Sequence, residues 1–331
     1  MRAPLLFLLV ATAYVAGTPV PEEPTEYHYP RFYKMAGGDG EMHDIDLEAE
    51  PDHELLDEVT RNPANNQYFL YTRRNSIISQ TLVINNANSI LNSNFNANNP
   101  TIIIAHGWLS NRNTEPNPTV RRDDIRCAVP YHTKRNITRY ALPPTNLEVP
   151  AVGRGVGQFL RFLNQVTGAR FDNMHLVGFS LGAHLVGNAG RELGGQVARV
   201  TGLDPAGPMW SINVNRLRPT DGRYVEAIHT DGGYTVGGLG IGSAIANVDF
   251  FPNGGISQPG CLTNMCNHNR AWELFAATVT YNHLVGQQQC STNLQITWNT
   301  CRGSRLNMGN DDLRKTGSGM YRLDTGRLYP Y

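Results

Sequence analysis

The sequence lacks any long apolar run after its first residues, any internal repeat and any cluster of basic residues. Without a run of about 20 apolar residues, the chain is not expected to cross a bilayer. Without a basic cluster or a recognised nucleic-acid motif, it is not expected to bind nucleic acid. A length of 331 residues allows one large domain or two small ones, and no second domain is recognisable.

The first 17 residues have the pattern of a secretory signal peptide. Arg2 precedes the apolar run at residues 5–10, and the small residues Ala16 and Gly17 follow it. We therefore expect a secreted, extracellular protein without a transmembrane segment.

Five cysteines in 331 residues suit an oxidising compartment, with two disulfides and one cysteine left over. Cys261 and Cys266 are close enough to staple a small loop, and Cys290 and Cys301 are expected to close a larger one. Cys127 has no evident partner. Asn136 lies in the one standard glycosylation sequon, so the protein is expected to be a glycoprotein.

The formal net charge of zero hides an asymmetry along the chain. Residues 39–58 contain ten Asp or Glu and no Lys or Arg, whereas residues 59–331 carry a net charge of +10. We interpret residues 18–60 as an acidic leader and residues 61–331 as the domain. The leader is either a propeptide that rests on the basic body or a solvated, disordered arm. A basic body also suits anionic lipid surfaces.

Apolar patterning predicts strands that alternate with helices, which indicates an α/β fold with a mostly parallel central sheet flanked by helices. Asn-rich residues 85–99 and Gly-rich residues 237–242 are expected to be loops. The predicted strands are residues 68–72, 80–84, 101–105, 174–177, 197–203 and 224–228, and the predicted helices begin at Pro150, Ala183 and Asn269.

One stretch has the pattern of a nucleophile elbow. The apolar strand at 174–177 runs into Gly178-Phe179-Ser180-Leu181-Gly182, and a helix follows. Such a turn holds the serine in a strained conformation above the sheet, and its glycines let strand and helix approach. Gly-x-Ser-x-Gly alone is a weak signal in a chain with 33 glycines, so the other catalytic groups must support it.

The acid and base of a triad are expected after Ser180, in that order. The acid candidates include Asp204, Asp221, Asp231 and Asp249. Asp204 ends a predicted strand on the side of the sheet where Ser180 emerges, which makes it the best acid candidate. His229 and His268 are equivalent base candidates by pattern alone. His283 sits late in the last predicted helix, and His184 is expected to pack inside the fold. Backbone N–H groups at Trp108 and Leu181 are candidates for the oxyanion hole.

With these residues in place, the sequence resembles the animal pancreatic-lipase family, most closely its insect neutral lipases. The resemblance implies an α/β-hydrolase fold, Ser180 as nucleophile, Asp204 as acid, His268 as base, and oxyanion donors at Trp108 and Leu181. It rests on residues 105–108 (AHGW), 177–184 (VGFSLGAH), 202–208 (GLDPAGP), 228–231 (IHTD), 249–255 (DFFPNGG) and 266–268 (CNH).

The implied function is hydrolysis of acyl esters of glycerolipids or phospholipids at a lipid–water interface, as a triacylglycerol lipase or a phospholipase A1. No cofactor is implied. The alternative is a non-catalytic lipid-binding protein of the yolk or storage type on the same scaffold.

Three segments depart from the family's pattern. Cys261 and Cys266 enclose only four residues where relatives have a long lid, which resembles the phospholipase A1 members and predicts an open site. At the family's calcium site Asn213 and Arg218 leave only Asp221, so no metal is expected. Residues 127–138 replace an expected apolar strand, through divergence of the chain or through a splicing or frame error in the sequence.

Overall fold

The computed structural model describes residues 29–38, 41–49, 66–123, 148–233 and 237–331. The signal peptide, Cys127, the sequon at Asn136 and the segment at 127–138 lie outside these ranges. The strands are β1 Phe32–Ala36, β2 Met42–Asp46, β3 Tyr68–Leu70, β4 Gln80–Leu82, β5 Thr101–Ala105, β6 Met174–Phe179, β7 Arg199–Leu203, β8 Tyr224–Ile228, β9 Val248–Pro252, β10 Val285–Cys290, β11 Leu306–Asn307 and β12 Gly319–Leu323. The helices are α1 Ala87–Leu91, α2 Asn117–Asp123, α3 Glu148–Thr167, α4 Leu181–Glu192, α5 Asn264–Tyr281 and α6 Asn293–Trp298.

Eight strands form the central sheet, in the order β11-β10-β12-β9-β8-β7-β6-β5. The strands from β5 to β9, and β12 beside β9, pair in parallel, and β10 runs antiparallel to both of its neighbours. The predicted α/β-hydrolase architecture is therefore confirmed. Carboxyl ends of parallel strands meet at one edge of a sheet, which is where such folds bind their substrates.

The central strands are buried because helices cover both faces of the sheet. Along β5, Ile103 belongs to the hydrophobic cluster that includes Phe159 of α3 and Val186 of α4. Ile102 and Ile104, on the other face of the strand, belong to the cluster that includes Phe275 of α5. This alternation follows from the two-residue period of a strand. The continuous β-branched run at 101–105 is therefore a strand with two buried faces, as predicted.

Several boundaries differ from the sequence-based predictions, most of them by two residues. Helix α5 begins at Asn264 rather than Asn269, because the Thr263 side chain accepts the N–H of Cys266 and caps the helix. The predicted loop at 85–99 contains α1, which Asn86 caps in the same way. His283 lies just beyond α5 and is exposed.

The predicted acidic leader contains a folded hairpin, β1–β2. Tyr33 and Ile45 on its inner face are buried, and Ile45 is part of the main hydrophobic core. Lys34 and Asp44 pair on its outer face, where alternate residues meet solvent. The interpretation as a solvated arm is therefore wrong for this hairpin, while cleavage of the leader stays a prediction.

Both predicted cysteine pairs are bonded, Cys261 to Cys266 and Cys290 to Cys301. The first pair encloses the start of α5, and the second encloses α6. Within the described ranges, no helix is both long and apolar enough to cross a bilayer.

Candidate active site

Ser180 lies between β6 and α4, at the carboxyl edge of the sheet. Its backbone is in a region that L-residues rarely adopt, with φ 57° and ψ −122°. A Cβ at Gly178 would lie 2.1 Å from the carbonyl oxygen of Gly182, and a Cβ at Gly182 would lie 2.4 Å from that of Ala105. Both positions therefore require glycine, and the sharp strand–turn–helix geometry predicted from the sequence is present.

Asp204 follows β7, the next strand in the sheet, and its carboxylate is buried. Its Oδ1 accepts the backbone N–H groups of Thr230, at 2.7 Å, and of Asp231, at 3.1 Å. Two N–H donors to the same oxygen fix the orientation of this carboxylate. A Cβ at Gly240 would lie 2.4 Å from Oδ1, so the glycine-rich loop at 237–242 lies directly against this carboxylate.

His268 in α5 completes a pair with Asp204. Its Nδ1 lies 2.5 Å from Asp204 Oδ2, and its ring centre lies 4.5 Å from that of Phe179. His268, Ser180 and Trp108 line one cavity of about 210 Å³, together with Gly37, Gly38 and Leu239. A larger cleft of about 720 Å³ includes the start of β5 and the end of α3, and none of these three candidate residues lines it.

His229, the other base candidate, belongs to a separate pair. Its Nε2 lies 2.9 Å from Asp249 Oδ1 and its Nδ1 lies 2.7 Å from the carbonyl oxygen of Ile241. Its ring stacks on Phe251 and is fully buried. Since both nitrogens are engaged inside the fold, His229 has a structural role. Sequence pattern could not separate these two histidines, because each has an aspartate partner distant in the chain.

The loop that is predicted to form the oxyanion hole, residues 106–108 (the oxyanion loop), lies directly beside Ser180. A Cβ at Gly107 would meet Ser180 Cβ at 3.2 Å, so the peptide between Gly107 and Trp108 lies close to the serine. His106 Nδ1 lies 2.8 Å from the Gly107 carbonyl oxygen, which orients that peptide and hence the N–H of Trp108. Leu181 is the first residue of α4, where backbone N–H groups have no partner within the helix.

His184 packs inside the fold, as its pattern suggested. Its ring stacks on Trp210, Nε2 donates to the carbonyl oxygen of Ala206 at 2.9 Å, and Nδ1 accepts the N–H of Leu217 at 3.1 Å. Burial lowers the pKa of His184 to about 3, so it stays neutral and holds this tautomer. The bond to Ala206 ties α4 to the segment that follows Asp204.

Asp231, one of the acid candidates that the sequence offers after Ser180, is a buried carboxyl beside the candidate triad. Its Oδ2 accepts the N–H of Leu239 at 2.8 Å, and the Asn267 side chain also bonds to it. Burial raises the pKa of Asp231, and the negative charge of Asp204 raises it further.

We expect Asp231→Asn to stabilise the protein progressively as pH rises. Because the folded-state pKa of Asp231 is raised, the folded state holds more protons than the unfolded one above about pH 4, and stability falls as pH increases. Asparagine removes this loss and keeps an acceptor for the Leu239 N–H. The free energy of unfolding relative to wild type should rise by up to about 1.4 kcal/mol per pH unit in this window.

Urea unfolding at pH 5 and pH 7 measures this difference. Asp172→Asn is the control, because its pairing with Arg170 lowers the pKa of Asp172 and places its titration below both pH values. A difference between Asp231→Asn and wild type that does not change with pH would contradict the prediction.

Asp221, the acidic residue left at the predicted calcium position, is fully buried beside two arginines. Arg191 lies 3.0 Å from Oδ1, and Arg218 approaches the same carboxylate at 3.5 Å. Burial raises the pKa of Asp221 to about 6, and the charge of Arg191 opposes this shift. Among the described residues, no group of three or more His, Cys, Asp or Glu side chains could hold a metal ion. The absence of bound calcium stays a prediction.

A family described as Lipase matches residues 33–329, which is most of the chain. The chain belongs to the lipase family. It is 33% identical over 268 residues to pancreatic triacylglycerol lipase of Mus musculus, covering 72% of this chain and 56% of that protein. It is 34% identical over 225 residues to pancreatic lipase-related protein 2 of Cavia porcellus, covering 65% of this chain and 51% of that protein.

The lipase-family chain thus spans about half the length of the curated relatives it matches. The family match begins inside the β1–β2 hairpin, which agrees with the packing of this hairpin on the core. Among solved structures, a carboxylesterase from Mesorhizobium loti is 18% identical, with a TM-score of 0.31, and the match covers 40% of this chain and 68% of that one. This structural similarity is too low to indicate a function.

The short segment between Cys261 and Cys266 does not form a lid over the candidate site of this lipase-family chain. Leu262 is 99% exposed, and Met265 belongs to the first turn of α5 and lines the cavity. The cavity of Ser180 and His268 is therefore bordered by α5, by the oxyanion loop and by the turn of the N-terminal hairpin.

Proposed function

We propose that this lipase-family chain is a secreted carboxylic ester hydrolase that cleaves acyl esters of glycerolipids. The observation that carries the proposal is the buried Asp204–His268 pair, which shares a cavity with Ser180. Family membership and the printed names of the relatives support a lipid ester as substrate.

In the proposed mechanism, Ser180 Oγ attacks the ester carbonyl carbon while His268 Nε2 takes its proton. Asp204 holds the proton on Nδ1 and stabilises the imidazolium that forms. The N–H groups of Trp108 and Leu181 stabilise the negative oxygen of the tetrahedral intermediate.

Collapse of this intermediate breaks the bond to the leaving alcohol, which takes the proton from His268. Water, with its proton accepted by His268, then attacks the acyl-enzyme. His268 returns this proton to Ser180 Oγ as the bond to the acyl group breaks, which releases the fatty acid and restores the enzyme. Every proton in this cycle passes through Nε2, so the reaction requires a neutral His268 at the start of each acyl transfer.

The segment between Cys261 and Cys266 is only four residues long, and Leu262 within it is exposed. A segment this short supports an open cavity that accepts both soluble and aggregated esters. We therefore propose that the rate rises smoothly with substrate concentration and does not jump at the solubility limit. Triacylglycerol and phospholipid remain equal candidates as the physiological substrate.

The test is the release of fatty acid from trioleoylglycerol emulsions and phosphatidylcholine vesicles, measured side by side. Diethyl p-nitrophenyl phosphate should also label the protein at Ser180, as identified by peptide mass. Hydrolysis of either lipid with labelling at Ser180 supports the proposal. A pure protein that hydrolyses neither lipid, cleaves no p-nitrophenyl butyrate and is not labelled would be a lipid-binding or storage protein instead.

A further inference from the structure

The hairpin of β1 and β2 contacts both walls of the candidate active site. At its turn, the N–H of Gly38 donates to the carbonyl oxygen of Trp108 at 2.9 Å. The His43 ring meets the Trp108 ring edge to face, with centres 5.2 Å apart. The turn thus holds the oxyanion loop from outside, and Gly37 and Gly38 line the same cavity as Ser180.

The opposite wall is held through Tyr33 in β1. Its hydroxyl donates to the carbonyl oxygen of Gly237, and that of Gly238 lies 3.1 Å away. Tyr33 is buried, and this burial raises the pKa of its hydroxyl, which therefore stays a donor through the working pH range. Asn264, the first residue of α5, donates to the same Gly237 oxygen at 2.7 Å. Gly237 therefore joins the hairpin, the glycine-rich loop and the helix that carries His268.

The glycine-rich loop transmits this contact to the acid. The N–H of Leu239 donates to Asp231, and the carbonyl oxygen of Leu239 accepts the N–H of Gly207 at 2.8 Å. The next residue, Gly240, lies against the Asp204 carboxylate. A loop held in this way keeps water from the buried carboxylate. A loop released from Tyr33 lets water compete with the Asp204–His268 bond.

We propose that the hairpin is a clamp that positions the catalytic groups and stays on the active enzyme. Tyr33 is its positioning residue toward Asp204 and His268, and the turn at Gly37 and Gly38 positions the oxyanion loop. Any processing of the acidic leader in the active enzyme therefore occurs before Phe32, the first residue of β1. This inference rests on the proposed ester hydrolase function.

The first test is Tyr33→Phe in the full secreted chain, assayed on soluble p-nitrophenyl butyrate. One lost hydrogen bond of this kind should lower kcat up to about tenfold while KM and the melting temperature stay close to wild type. The rate of phosphorylation of Ser180 by diethyl p-nitrophenyl phosphate, which releases p-nitrophenolate, should fall by the same factor. Lys34→Ala, the next residue of the same strand but on its exposed face, should match wild type in every measurement.

Asn264→Ala and the double variant separate positioning from a local packing effect. Each single variant leaves the Gly237 oxygen one of its two donors among the described residues, whereas the double variant removes both. The fall in kcat should therefore exceed the product of the single effects. Multiplicative effects, or a Tyr33→Phe variant as fast as wild type, would overturn the clamp.

The second test is the intact mass of the active secreted enzyme. Retention of residues 32–46, the two strands of the hairpin, supports the proposal, and fully active material that begins after Asp46 overturns it, regardless of how any variant folds. These failures differ from failure of the proposed function itself, in which wild type shows no Ser180-dependent hydrolysis at all.

Discussion

Ser180→Ala is expected to lower kcat on p-nitrophenyl butyrate by about a million-fold, the effect of removing a serine nucleophile from a triad enzyme. Alanine keeps the Cβ in the strained turn, where φ is 57°, and removes only the hydroxyl oxygen. The oxyanion donors and the cavity remain, so a residual rate above that in water is expected.

The measurement combines a full progress curve for the variant with its melting temperature, which should equal that of wild type. Ser211→Ala is the matched control, because Ser211 is also a buried serine, and its hydroxyl bonds the Gly207 carbonyl oxygen at 3.0 Å. It should retain wild-type kcat. A Ser180→Ala variant with substantial activity would assign the nucleophile to another residue.

Asp204→Asn is expected to lower kcat by about ten thousand-fold with the fold intact. The structure determines which way the new amide points. Since two backbone N–H groups donate to the Oδ1 position, the amide oxygen must stay there, and the NH₂ group then faces His268 Nδ1. His268 must accept at Nδ1 and carry its proton on Nε2, where it cannot take the proton of Ser180.

Asp249→Asn is the control for this prediction, since the chain contains the same pair of residue types twice. Asp249 bonds His229 at 2.9 Å and also accepts the N–H groups of Ile245 and Ala246. This variant should lose stability in urea unfolding but keep kcat within a few-fold. Equal losses of kcat in both variants would contradict the assignment of His268 as base.

Much of the fold was predictable because its central strands are short apolar runs with strong local signals. The β-branched run of β5 has two buried faces, and the turn at Ser180 carries its two required glycines. Helix α5 began earlier than predicted since residues 264–268 lack apolar periodicity. The Thr263 cap, a visible signal, could have corrected it.

The hairpin was missed for a related reason. Only one face of β1–β2 is buried, and most of the acidic residues of the segment 39–58 lie outside the two strands. A charge count over residues 39–58 therefore indicates a solvated leader, although Ile45 is fully buried in the core. Composition averages over the two faces of a strand, whereas packing separates them.

The sequence by itself determined the elbow at Ser180, the acid candidate Asp204 and the two cysteine pairs, because each depends on neighbours within a few residues of the chain. The pattern along the chain left His229 and His268 equivalent, and only the family resemblance implied His268. The tertiary structure places His268 beside Asp204 and in the cavity of Ser180. Residues 204, 229, 249 and 268 come together through parallel strands and α5, and a pattern along the chain does not record which aspartate faces which histidine. The same is true of Tyr33, whose contact with Gly237 spans about two hundred residues of sequence.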